Sequence, residues 1–218
     1  MRITRVQVTL ELPGWRLVWY RLASRGESPS AAAAARAAVA GAARERFAGR
    51  NLVDLPVVGE VRRLFREAGT DPTRYRPSSE ALLRRVLKGE ELPAIHPLVD
   101  LNNCVSVALA VPSCVMTEGS FTPPVRLRRG NAGERMDSLR GDFDLAGRPL
   151  LEDARGPFGT PITDSHRVAV GESTREAWMV VYLPATVLSA ADVDAVLGTA
   201  PISAIASSRR EQVSEDAG

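Results

Sequence analysis

Histidine and cysteine are almost missing from this chain, and their scarcity removes whole classes of chemistry. With two histidines, His96 and His166, and two cysteines, Cys104 and Cys114, the 218 residues hold no CxxC pair and no His-rich box. A structural zinc site is therefore not expected, and neither is any other metal or cofactor. Aromatic residues make up 5% of the sequence, too few to suggest a row of base-stacking platforms. No apolar run is long enough to span a membrane; the alanine-rich stretch 31–43 is short and broken by Arg36. The N-terminus MRITRVQVTL carries a charge at its second residue and lacks the apolar core of a secretory signal. With unpaired thiols, this predicts a reducing, cytoplasmic setting. A dominant charge is lacking too. The 28 basic and 26 acidic side chains leave a net charge of +2, which argues against a uniformly basic nucleic-acid face and leaves local basic patches open. Glycine-rich phosphate loops, ATP-binding motifs and class II synthetase catalytic motifs are absent, so the chain alone is not a ligase.

What remains is an ordinary globular composition, 44% hydrophobic and 25% charged, that predicts a buried core. Apolar alternation over 3–12 and 15–22, with Pro13-Gly14 between, predicts an N-terminal β-hairpin. Four helices follow from their start and stop signals. The first runs over 30–47 with Gly49 as its stop, and the second over about 59–68 with Gly69 as its stop. A third opens at Pro77-Ser78-Ser79-Glu80, with Ser78 or Ser79 as cap and Glu80 favouring the helix dipole, and ends at Gly89. The fourth starts at His96-Pro97 and ends at Pro112. Its apolar stripe is Leu98, Leu101, Val105 and Leu109, and Asp100, Asn102, Asn103 and Ser106 fall off that stripe. Strand candidates lie at 125–129, 150–151, 167–170 and 178–183, and a short last helix runs from Ser189 to Gly198. Helices followed by strands predict an α+β fold. Residues 1–200 are expected to be one domain, with 201–218 a polar, aperiodic, flexible tail.

The run DPTRYRPSSEALLRRVLKG, followed by LPAIHPLVDLNN and VSVALAVP, resembles the B3/B4 domain of the phenylalanyl-tRNA synthetase β subunit, in particular its free-standing members. The specific likeness covers residues 57–118. A looser one, through GERMDSL and TREAWMVV, extends to about residue 183. The resemblance implies helices packed on antiparallel or mixed sheets. It also implies a pocket that recognises an aminoacyl group and hydrolyses the ester of a wrongly charged tRNA with a positioned water. Its partner would be aminoacyl-tRNA or the tRNA 3′ end. Three pocket positions depart from the family pattern. Asn102 stands where the family motif has threonine, Cys114 falls where a histidine is expected, and the strand 178–183 has no carboxylate where the editing glutamate would lie.

The candidate residues each carry two readings. Asn102 can orient an ester carbonyl or a water, and Asn103 can line the pocket; either can instead bond neighbouring backbone. Cys114 is a nucleophile if His166 lies beside it, and otherwise a small buried hydrophobe. His166, in Thr163-Asp164-Ser165-His166, belongs to an acid–base cluster or to a turn. Ser78 and Ser79 cap a helix or present its amides to a carboxylate, and Glu80 would then partner an ammonium. Arg76, with Arg74, Arg84, Arg85 and Lys88, forms an RNA-facing cluster or a solvated helix face, and Arg126, Arg128 and Arg129 form a second cluster. Thr174 enters as a ligand group through the looser likeness. The leading expectation is recognition of an aminoacyl group with deacylation in trans. The alternatives are a module that binds tRNA or an amino acid without chemistry, and an enzyme acting on a small amino-acid derivative.

Overall fold

The computed structural model describes residues 6–24 and 29–217. Strand β1 (Val6–Leu10) and β2 (Trp15–Ser24) flank the Pro13-Gly14 turn, as the alternation predicts. Gly14 has φ +83°, and a methyl group there would sit 2.6 Å from Leu64 Cδ2, so any other residue is strained at this corner. The two strands do not bond to each other. The turn is a corner between two sheets, because β2 is twice as long as β1 and finds longer partners elsewhere.

Four helices come next: α1 (Pro29–Phe47), α2 (Pro56–Glu67), α3 (Ser78–Leu87) and α4 (Pro97–Leu109). The strands β3 (Ser113–Thr117), β4 (Val125–Arg129), β5 (Arg135–Ser138), β6 (Gly141–Asp144), β7 (Pro149–Asp153), β8 (Gly156–Gly159) and β9 (Glu176–Pro184) follow. The chain then forms α5 (Ala190–Leu197), α6 (Ala200–Ser203), β10 (Ala206–Arg210) and β11 (Val213–Ala217). One sheet has the order β11-β1-β4-β7-β8, a second β10-β2-β9-β3, and β5-β6 form a small third. The α+β class and the packing of helices on mixed sheets are as expected.

The continuous apolar run of β9 makes it a central strand, antiparallel to both β2 and β3. From Ala177 onward all its residues are buried, because α2 packs on the sheet and α4 packs against β2, β3 and β9. Helix α4 is covered by α1, α3 and the sheet, so Asp100, Asn102 and Ser106 are buried although they lie off the apolar stripe. Each must then find a partner. Asp100 takes an ion pair from Arg36 of α1 and accepts the Ile95 amide at 3.0 Å; Ser106 donates to Val111 O at 2.7 Å.

Three expectations are corrected. Residues 206–210 and 213–217, read as part of a flexible tail, are strands: β10 runs antiparallel to β2 and β11 parallel to β1. Buried Ile202, Ile205 and Ala206 anchor the segment, and backbone ladders need no side-chain periodicity. Residues 166–168 form a 3₁₀ turn capped by Ser165, whose Oγ accepts the Arg167 amide at 3.3 Å, so 167–170 is not a strand. Helix α3 begins after Pro77 without a side-chain cap; neither Ser78 nor Ser79 caps it. The Ser78 amide instead donates to Pro161 O at 2.9 Å, which ties the start of α3 to the loop after β8. Among the described residues no helix is long and apolar enough to cross a membrane.

Candidate functional site

A cleft of about 450 Å³ opens between α3, α4, the outer edge of β3 and the loops at 139–140, 160–164 and 169–170. Its walls are largely apolar, with Leu82, Val99, Val115 and Ile162 among them. Two of the three large hydrophobic side chains that are exposed among the described residues, Ile95 (65% exposed) and Leu139 (52%), stand at its rim. Scattered exposed hydrophobics need no explanation, but two at one opening suit a ligand with an apolar part.

The polar floor is held by short-range bonds. Asn102 of α4 donates from Nδ2 to Ser113 O at 3.5 Å, and Ser113 Oγ donates to Asn102 O at 3.3 Å, locking α4 against β3. The loop 160–164 closes on Thr160. Its Oγ1 donates to Thr163 O at 2.8 Å and accepts the Ile162 and Thr163 amides at 3.1 and 2.9 Å. Asp164 follows, and its carbonyl accepts the Leu139 amide at 2.9 Å, so the floor and the rim share one fastening.

Two oxygens in this floor have no donor. Asn102 Oδ1 and Asp164 Oδ1 are shut off from solvent and unpaired, although both residues line the cleft. An unmet buried acceptor costs about 1–3 kcal/mol, so two on residues that line one cleft point to a ligand or water that supplies the donors. Asp164 as a whole is only partly buried, yet its Oδ1 is shut off from solvent. Burial pushes its pKa up to about 7, against the smaller opposing pulls of the Cys114 thiol and the Thr160 backbone. A carboxyl poised near neutrality is suited to general acid–base work.

The remaining expected site residues divide. Ser78 and Asn103 line the cleft with Asn102. Cys114 lies directly behind the floor, buried, with Sγ 3.4 Å from Thr160 O and 3.5 Å from Tyr182 OH. Burial raises its thiol pKa well above the ordinary value, so it is not a thiolate nucleophile. His166 is exposed on the 3₁₀ turn, and the polar neighbours of Cys114 are Thr160, Asp164 and Tyr182. The Cys–His pair is thus not formed, because the 3₁₀ turn points His166 to solvent between the buried Ser165 and Val168. Thr174 is buried in its own turn, 3.1 Å from Thr117 Oγ1 and accepting the Gly171 amide at 3.0 Å.

Ser79 and Glu80 are buried on a different face of α3 from the cleft. Glu80 meets Arg62 at 2.9 Å, Arg84 at 2.9 Å and Arg76 at 3.5 Å, so it answers arginines and does not offer a carboxylate to a ligand. That same cluster takes up much of the positive charge read as RNA-facing. Arg85 pairs with Glu90 at 3.0 Å, while Arg126 and Arg128 are bound by Glu152, and Arg128 also by Glu134. Arg140, at the cleft rim, makes no ion pair among the described residues. The residues that the sequence reading left out are Ser113, Thr160 and Tyr182. Their signal was weak, since a threonine before Pro161 and a tyrosine inside an apolar strand have ordinary structural uses.

No curated protein matches the chain. A solved structure, an N-terminal fragment of the phenylalanyl-tRNA synthetase β-subunit from Pyrococcus horikoshii, is similar at 12% identity and a TM-score of 0.48, over 99% of this chain and 54% of that one. The chain therefore spans about half the length of that fragment. The family model described as the B3/4 domain matches residues 60–195, a range that contains every residue lining the cleft. That match covers more than half of the sequence, and the chain belongs to the B3/4 domain family.

Proposed function

We propose that the cleft receives an aminoacyl ester and hydrolyses it with a water held between Asp164 and Asn102. The observation that carries this reading is the pair of unpaired, buried acceptors, Asp164 Oδ1 and Asn102 Oδ1, at the floor of a largely apolar cleft. An attacking water has two hydrogens to give and must keep a lone pair for the carbonyl carbon. Two acceptors without donors of their own meet that need. Asp164 in its ionised form takes one proton as the water oxygen bonds to the carbonyl carbon. The C–O ester bond then breaks, and the departing hydroxyl recovers the proton from Asp164. The apolar walls, with Ile95 and Leu139 at the mouth, receive the amino-acid side chain. Family resemblance supplies the tRNA 3′ end as carrier, and Arg140 at the rim offers a cation to its phosphate.

The Asp164 carboxylate replaces, from another segment, the one missing from β9. The departures at Asn102 and Cys114 then read as a rearranged pocket rather than a lost one. Incubation with a panel of aminoacyl-tRNAs, followed by the ester remaining, is expected to show loss of one or a few esters. Asn102→Ala is expected to slow that loss about 10- to 100-fold by removing one of the two acceptors. Unchanged esters across the whole panel would overturn the reading.

A carrier smaller than tRNA is favoured by one observation, the extensive internal pairing of the arginines on α3 and β4. Uncharged tRNA distinguishes the two. A salt-dependent mobility shift supports tRNA as carrier, whereas no shift at low salt together with hydrolysis of small aminoacyl esters supports the other.

A further inference from the structure

Behind the cleft floor, side chains from two strands meet the Asp164 carboxyl at the one position of β8 that spares them room. A methyl group at Gly159 would lie 3.2 Å from Asp164 Oδ1, 3.6 Å from Cys114 Sγ and 3.9 Å from Tyr182 OH. Cys114 and Tyr182 are at most 1% exposed, on neighbouring strands β3 and β9. The thiol has a single proton and three polar neighbours: Thr160 O at 3.4 Å, the Tyr182 hydroxyl at 3.5 Å, and the Asp164 carboxyl. As arranged, the thiol donates to Thr160 O, and Asp164 Oδ1 is left without a donor. Rotation about the Cβ–Sγ bond turns the same proton towards the carboxyl.

We propose that Cys114 and Tyr182 are positioning residues for Asp164: the tyrosine hydroxyl donates to Sγ, and the thiol proton serves the Thr160 carbonyl or the Asp164 carboxyl according to that carboxyl's charge. A thiol is a weak donor. It steadies the ionised carboxylate without making it a poor base, which a hydroxyl at the same place would do. The titratable groups that face Asp164 are Cys114 from β3 and Tyr182 from β9. The uncharged Asn102 comes from α4, and Arg85 and Arg140 stand at the cleft rim. The catalytic use of this arrangement rests on the hydrolysis proposed above; the arrangement itself does not.

The test is carbon-13 NMR titration of the Asp164 carboxyl, assigned with Asp164→Asn, in the full chain and in Cys114→Ala, Cys114→Ser and Tyr182→Phe. The expected order of midpoints is serine variant, wild type, alanine variant, with about one pH unit between the last two. Tyr182→Phe is expected to shift the midpoint in the same direction as Cys114→Ala by a smaller step, and it keeps the ring that fills the core. In the pH–rate profile for ester hydrolysis, Cys114→Ala then loses about tenfold in kcat below the midpoint, with KM unchanged; Cys114→Ser recovers the rate there but has a lower plateau above the midpoint, as a weaker base requires. Coincident midpoints in all four proteins overturn the proposal. If the wild type hydrolyses no ester, the functional reading fails and the NMR order still decides the positioning role.

Discussion

Replacing Asp164 by asparagine is expected to lower aminoacyl-ester hydrolysis by about 10²- to 10⁴-fold, the usual loss when a general base is removed. Asparagine keeps the size of the side chain and can still hold a water, but it takes no proton. In the wild type, activity is expected to rise with pH through about 7, the value to which burial pushes this carboxyl, and then to level off. A flat profile from pH 5 to 8 would remove Asp164 from the mechanism. The same substitution has a consequence for stability that needs no substrate. Because the folded-state pKa is raised above the ordinary carboxyl value of 3.8, the native state holds this proton more tightly than the unfolded chain. Stability from that proton is fully present below about pH 4 and is lost as pH rises through about 7. The asparagine variant has no such proton to lose. It is expected to gain on the wild type across that window, by on the order of 2–4 kcal/mol at pH 8. Urea unfolding at pH 5 and pH 8 checks this, and an offset that does not change with pH would show the carboxyl to be solvated.

Glu80→Ala is expected to destabilise the fold by about 3 kcal/mol. The carboxylate is 1% exposed and accepts from Arg62 at 2.9 Å and from Arg84 Nε at 3.0 Å, with Arg76 close by. Removing it leaves the Arg62 charge, on a side chain 11% exposed, without its counter-charge and with Thr73 Oγ1 and Pro72 O as remaining acceptors; Arg76 and Arg84, each 41% exposed, can turn to water and contribute less. For a chain of this length the melting temperature is expected to fall by about 6–12 °C. Hydrolysis by the folded fraction is expected to keep its KM. A raised KM with unchanged melting would return Glu80 to the ligand role that its place at a helix start suggests.

Those two residues show how far local sequence carries. The segment around Glu80 announces a helix start, and α3 does start there, because proline before and favourable residues after act within a turn or two of chain. What Glu80 is for depends on Arg62, which is eighteen residues away and on another helix, and local signals do not reach that far. Asp164 is the converse case. Its neighbours in the chain form a turn, and its chemistry arises from burial beneath Cys114 and Tyr182, contributed by strands 50 residues upstream and 18 downstream. The Cys114 thiol faces Thr160, Asp164 and Tyr182 and not His166, because the 3₁₀ turn carries the histidine outwards.

By itself, the sequence determined the positions of α3, α4, α5 and β9, the turn at Pro13-Gly14, the α+β class and the family. These depend on periodicity, caps, turn residues and motif, all encoded within short windows. The tertiary structure alone decided that β1 and β2 part into separate sheets and that the polar C-terminal segment completes both of them. It also decided that Glu80 answers arginines, and that Asn102 and Asp164 leave two buried oxygens without donors on one cleft. Strand pairing and burial are set by partners distant in the chain, and a carboxyl acquires a shifted pKa only once the fold has excluded water from around it.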